Sequence, residues 1–154
     1  MSGGRRHPLT EIGFYHLTRT APEQALPALL GRTLEAGERA VVLCGSSERV
    51  ASLDRLLWES TNPAWLPHGT ARTGDADLQP IWLTDKEERP NGARFLFLLD
   101  GCQADPAAWA RVFDLFDGRD PAQLEAARRR WTEARAAGHT PTYWQQADRG
   151  WTKK

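Results

Sequence analysis

The chain has 154 residues, 40% apolar and 26% charged, the balance of an ordinary globular protein. Lys plus Arg and Asp plus Glu stand at 20 each, so the formal charge is zero. That argues against broad, charge-driven binding to nucleic acid, leaving room only for a local basic patch.

No stretch approaches the roughly 20 apolar residues of a membrane span. Two widely separated cysteines, Cys44 and Cys102, fit a reduced cytoplasmic chain better than a disulfide framework. Residues 1–8 are basic, lack a following apolar signal region and read as a disordered tail. Residues 9–154 read as one α/β domain. Glu11–Leu17 has the character of a strand. Thr20 is a candidate helix cap with Pro22 in the first turn, and Leu26, Leu29, Leu30 and Leu34 give helical spacing up to Gly37. The wholly apolar Ala40–Leu43 suits a strand buried on both faces. Ser47 opens a second helix with Val50, Leu53, Leu56 and Leu57 on its apolar face, ending near Trp58. Residues 60–79 are rich in turn formers, and residues 81–83 and 95–99 read as strands. Asp105 and Pro106 predict a third helix with Trp109, Val112, Phe113 and Phe116 on one face, broken at Gly118. Asp120 and Pro121 start a fourth helix that runs to about Ala137 and stops at Gly138; residues 142–146 form a last strand. This alternation predicts a mostly parallel sheet with helices on both faces.

The fingerprints of catalysis are missing. The turn at Gly45, Ser46 and Ser47 could aim backbone N–H groups at an anion, but neither GxGxxG nor GxxxxGK[ST] is present. A nucleotide-binding or enzymatic α/β domain using that turn is the alternative to an adaptor; a tight turn with a capping serine is the plainer account. His7, His16, His68 and His139 show no metal-ligand spacing, so neither metal nor cofactor is expected. Asp100, Gly101 and Cys102 follow a strand end without a legible base or nucleophile, and Asp100 is expected to bond local backbone N–H groups.

Two features point to binding instead. Seven residues are Trp, and Trp is favoured at interfaces for its large area and polar N–H. On the fourth helix Leu124, Arg128, Trp131 and Arg135 fall at i, i+4, i+7 and i+11 along one stripe. A stripe of Arg, Trp and Arg suits a groove for an acidic, aromatic-ended peptide. It equally suits a solvated basic face with Trp131 folded onto the core. Trp58 and Trp65, on either side of an irregular segment, make either an apolar surface patch or a plug for the sheet edge. A third reading, direct binding of single-stranded DNA through stacked aromatics, is opposed by the zero net charge.

Several pieces recur in a family order: Phe14-Tyr15-His16-Leu17, Leu53-Asp54 and Trp58, then Trp65-Leu66-Pro67-His68-Gly69. They continue with Gln79-Pro80-Ile81-Trp82-Leu83-Thr84, Phe113-Asp114-Leu115-Phe116-Asp117-Gly118, Ala127-Arg128 through Trp131, and Tyr143-Trp144-Gln145-Gln146. The succession resembles the chi subunit family of the bacterial DNA polymerase III clamp-loader complex over nearly the whole chain beyond Pro8. The resemblance implies a Rossmann-like α/β fold without nucleotide chemistry, and a non-catalytic, cytoplasmic adaptor in DNA replication. It implies two partners, the psi subunit and the acidic C-terminal tail of single-stranded DNA-binding protein, without strong direct DNA binding. The chain would be a monomer alone or a 1:1 heterodimer with psi. By position, Trp58, Trp65, Leu66 and Pro67 would meet psi. Arg128, Trp131 and Arg135 would form the tail pocket, with Phe116 as wall. Thr132 stands where some members of the family place Lys, which would leave that pocket one charge fewer.

Overall fold

The computed structural model describes residues 10–154. The tail expected at residues 1–8 lies outside the described residues. In chain order the elements are β1 (Glu11–Leu17), α1 (Pro22–Glu35), β2 (Ala40–Leu43), α2 (Ser47–Trp58), β3 (His68–Thr70) and β4 (Ile81–Thr84). They continue with β5 (Phe95–Leu98), β6 (Arg111–Asp117), α3 (Pro121–Ala136), β7 (Thr140–Gln146) and β8 (Trp151–Lys153). All eight strands join one sheet in the order β3-β4-β2-β5-β6-β1-β7-β8. Every neighbouring pair is parallel except β7 and β8, which form an antiparallel hairpin.

The pleat divides the core. Val42, Phe97 and Leu115 point to one face, where Leu26 and Leu30 of α1 and Leu53 and Leu57 of α2 cover them. Val41, Leu96, Val112 and Phe116 point to the other, where Ala127 and Ala134 of α3 close the layer. Helices therefore lie on both faces, and β2 is buried at every position because it is covered twice.

The predicted third helix is a strand. Asp105 does cap, accepting from the Ala107 N–H at 3.1 Å, but only for one 3₁₀ turn at Pro106–Ala108. The chain then extends as β6 between β5 and β1, and Trp109, Val112 and Phe116 face α3 while Phe113 faces α1. Five consecutive buried residues, 112–116, hide the two-residue alternation of a strand. Thr20 is not the cap of α1 either. The cap position is Ala21, whose N–H donates to the Gln24 side chain at 2.9 Å, with Pro22 starting the helix. The Thr20 hydroxyl accepts from the Gln146 side-chain Nε2 at 2.9 Å; the Gln146 side-chain Oε1 in turn accepts from the N–H groups of Thr18, Arg19 and Thr20. The short strands β3 and β8 lie in segments that read as turn or tail.

Candidate protein-docking sites

α3 begins where Asp120 accepts from the Ala122 N–H at 2.9 Å, with Pro121 in the first turn, and ends at Gly138 with φ 87°. Its sheet-facing side is Ala127, Arg130, Trp131 and Ala134, spaced as one helical stripe. The two alanines keep the helix close to the sheet. Trp131 stays half-buried, set edge-on against Phe14 at 5.5 Å and Tyr143 at 6.0 Å.

Beside it lies a pocket of about 270 Å³ walled by Phe14, Phe116, Leu124, Trp131 and Tyr143. Arg128 and Thr132 line it from the exposed side of α3. Arg128 makes no ion pair among the described residues. The Thr132 hydroxyl donates back to the Arg128 carbonyl at 3.1 Å. Arg135 is exposed but lies outside the lining, so the structure gathers Arg128, Trp131, Thr132 and Phe116 and leaves Arg135 apart. Tyr143, like Phe14, is a wall that sequence reasoning missed. It faces the pocket because β7 pairs with β1, Tyr143 opposite Phe14, a register that no local pattern reveals.

Behind the wall, His16 stacks on Phe116 at 5.2 Å, and its Nδ1 is hydrogen-bonded to the Tyr143 hydroxyl at 2.5 Å. Burial, followed by the nearby Arg128 cation, pushes the His16 imidazole below its ordinary range. The pocket is thus an aromatic hollow with one guanidinium at its rim. Gly118 sits against the His16 ring so closely that a β-carbon would overlap it. Gly118→Ala should therefore displace His16, break its bond to Tyr143 and cost roughly 1–3 kcal/mol by overpacking. A lowered melting temperature is the expected result; an unchanged melt would contradict it.

The second site is on the other face of the sheet. Trp58 ends α2 and Trp65 lies in the following loop; they are 60% and 69% exposed, with rings 6.5 Å apart. Beneath them, buried His68 bonds the Leu66 carbonyl at 2.6 Å and the Asp54 carboxylate at 2.9 Å, and its ring is 4.8 Å from Trp58. The Ser60 hydroxyl donates to the Pro63 carbonyl at 2.5 Å. The loop is thus fastened while its two indoles face water, as at an interaction site. Leu66 does not join them. At 3% exposure it is packed into the core under α2 and anchors the loop, and Pro67 is half-buried.

The backbone N–H groups at the turn from β2 to α2 are engaged from within the protein. The Gly45 N–H donates to Asp100 Oδ2 at 3.0 Å, and Ser46 Oγ accepts from the Arg49 N–H at 3.1 Å. Arg49 then bridges Asp100 at 3.2 Å and Glu23 at 3.0 Å. Asp100 thus serves a backbone N–H of another strand end, not its own loop as expected. Burial pushes the Cys44 thiol at this place up to about 11, far from thiolate chemistry. Among the described residues no helix is long and apolar enough to cross a membrane.

Residues 9–142 match the family described as DNA polymerase III chi subunit, HolC. Over 91 residues the chain is 23% identical to a probable DNA polymerase III subunit chi of Rickettsia prowazekii (strain Madrid E). That alignment covers 59% of this chain and 55% of the relative.

Proposed function

The chain belongs to the DNA polymerase III chi subunit family, non-catalytic accessory subunits in DNA replication, and from that premise we propose that it is a cytoplasmic adaptor with two protein partners. The pocket of Arg128 and Trp131 takes the acidic, phenylalanine-ended tail of single-stranded DNA-binding protein. The patch of Trp58 and Trp65, with Pro67 at its edge, takes the psi subunit in a 1:1 heterodimer. One observation carries this reading: an open aromatic pocket holds a single unpaired guanidinium at its rim. A phenyl ring would pack into the hollow walled by Trp131, Phe116 and Tyr143, with its terminal carboxylate directed to Arg128 at the rim. Each charge-assisted bond contributes roughly 1.5–3 kcal/mol, and ordering the tail subtracts from that sum.

Calorimetric titration with a synthetic tail peptide tests it. The expected result is 1:1 binding of modest affinity that weakens as salt rises. The same peptide without its terminal Phe should not bind. Equal binding of both peptides would remove the pocket from the account. The double variant Trp58→Ala, Trp65→Ala should fail to co-purify with psi yet bind the peptide normally, since both indoles are exposed and carry little stability. If the variant keeps psi, the patch is not its seat.

A further inference from the structure

Beside α1, on the sheet face away from the Arg128 pocket, lies a groove of about 560 Å³ that belongs to neither proposed docking site. It runs between the last turns of α1 and the β7–β8 hairpin. Its floor is aromatic: Tyr15, Phe95, Phe113, Trp144 and Trp151. The Tyr15 and Trp144 rings lie within 9° of parallel at 6.1 Å, Tyr15 and Phe113 within 29° at 5.7 Å, and Trp151 meets Tyr15 edge-on at 5.0 Å. Gly13 makes this platform possible. A β-carbon there would come within 2.7 Å of the Tyr15 ring, so only glycine lets that ring lie along the sheet.

The groove is also cationic. Arg32, Arg111 and Arg149 line it, and no carboxylate does. Arg111 rests over Phe113 at 4.6 Å; Glu11 stands 3.5 Å from its Nε at the edge, yet that buried Nε has no hydrogen-bond partner. Arg32 and Arg149 are exposed and make no ion pair among the described residues. Lys153 adds a further cation 5.7 Å from the Trp144 ring. A chain with zero net charge has therefore concentrated positive charge around half-buried indoles on an open sheet face.

We infer that this groove binds single-stranded nucleic acid, bases packing on Trp144 and Trp151 and phosphates meeting Arg32 and Arg149. Aromatic rings on a sheet face flanked by guanidinium groups form a stacking platform that accepts any base. An acidic peptide would satisfy the arginines but leave the aromatic floor without planar partners. With so few cations the binding is weak and confined to low salt, consistent with the zero net charge of the whole chain.

The test uses the full chain alone and a dye-labelled oligothymidylate of about 12 nucleotides, a length typical of such sites, followed by anisotropy. Saturable binding is expected at low salt, with log K falling against log salt at a slope of about −1.4, the value for two phosphates on a single strand. The double variant Arg32→Glu, Arg149→Glu should bind about tenfold more weakly or worse while melting at the wild-type temperature, because two phosphate contacts become repulsive. Arg128→Glu should bind the oligonucleotide normally, which separates this groove from the tail pocket. No binding at low salt overturns the inference. So does binding that ignores Arg32 and Arg149, or a labelled polyglutamate peptide that occupies the groove in preference to the oligonucleotide.

Discussion

Arg128→Ala should weaken binding of the tail peptide about ten- to a hundredfold, the loss of roughly 1.5–3 kcal/mol, and leave the melting temperature unmoved. The size follows from the surroundings. Arg128 is the only full charge among the residues lining the pocket, and the other walls are chiefly aromatic or aliphatic. Once a ring fills the hollow, water is excluded from one side of the guanidinium, and its fork holds a carboxylate more firmly than an exposed pair would. Stability is untouched because Arg128 has no ion-pair partner to lose. Arg128→Lys should recover only part of the affinity, since a point charge cannot grip both carboxylate oxygens. Thr132→Lys should raise affinity and steepen its salt dependence, for position 132 lies on the pocket rim one turn beyond Arg128. Calorimetry on the four proteins, with melts as control, decides the matter. An Arg128→Ala variant that binds like wild type would remove the guanidinium from the mechanism.

Much of this was legible in residue order, and the misses have identifiable causes. β1, β2, α2 and α3 announce themselves through caps, periodicity or a short apolar run, and their residues fix the parallel α/β plan. β6 does not. Val112 through Phe116 are buried on both sides, and the carboxylate in their midst, Asp114, looks like a break in a helix face. The Arg–Trp stripe runs along the side of α3 that borders the pocket, but not all of it lines the hollow. Arg135 is a further turn along from Trp131 and lies outside the pocket lining, while Tyr143 reaches it from another strand. Trp58 and Trp65 stand out in sequence, yet the burial of Leu66 next to Trp65 depends on how the loop is fastened by His68 and Asp54. The arginine groove is the least legible feature. Arg32, Arg111 and Arg149 belong to three distant segments, and only strand order brings them together.

Arg130→Ala should be the most destabilising single change at this surface, costing about 3–5 kcal/mol and lowering the melting temperature by roughly 10 °C or more. Arg130 reaches from α3 into the sheet and grips Asp114 of β6 with both arms of its fork, at 2.7 and 2.9 Å. The two side chains are only 10% and 4% exposed. Burial pushes the Asp114 carboxyl above its ordinary range, and the guanidinium opposes that push. Without Arg130 the carboxyl would remain in an apolar layer with no counter-charge. Its folded-state pKa would then exceed the unfolded value of about 3.9, so the variant loses stability as pH rises above that value and regains it as pH falls toward it. The deficit of Arg130→Ala should therefore be largest near neutrality and shrink in acid, whereas a loss of packing alone would be indifferent to pH. Replacing both partners, Asp114→Leu with Arg130→Met, should restore most of the stability, because the cost lies in the stranded charge rather than in the missing bond. The single variant should also bind the tail more weakly, since the stripe that seats Trp131 is no longer tied to β6. That loss would track the melt, which the loss in Arg128→Ala does not. Melts across pH and peptide titrations on both variants thus separate the residue that grips the ligand from the residue that holds the helix in place.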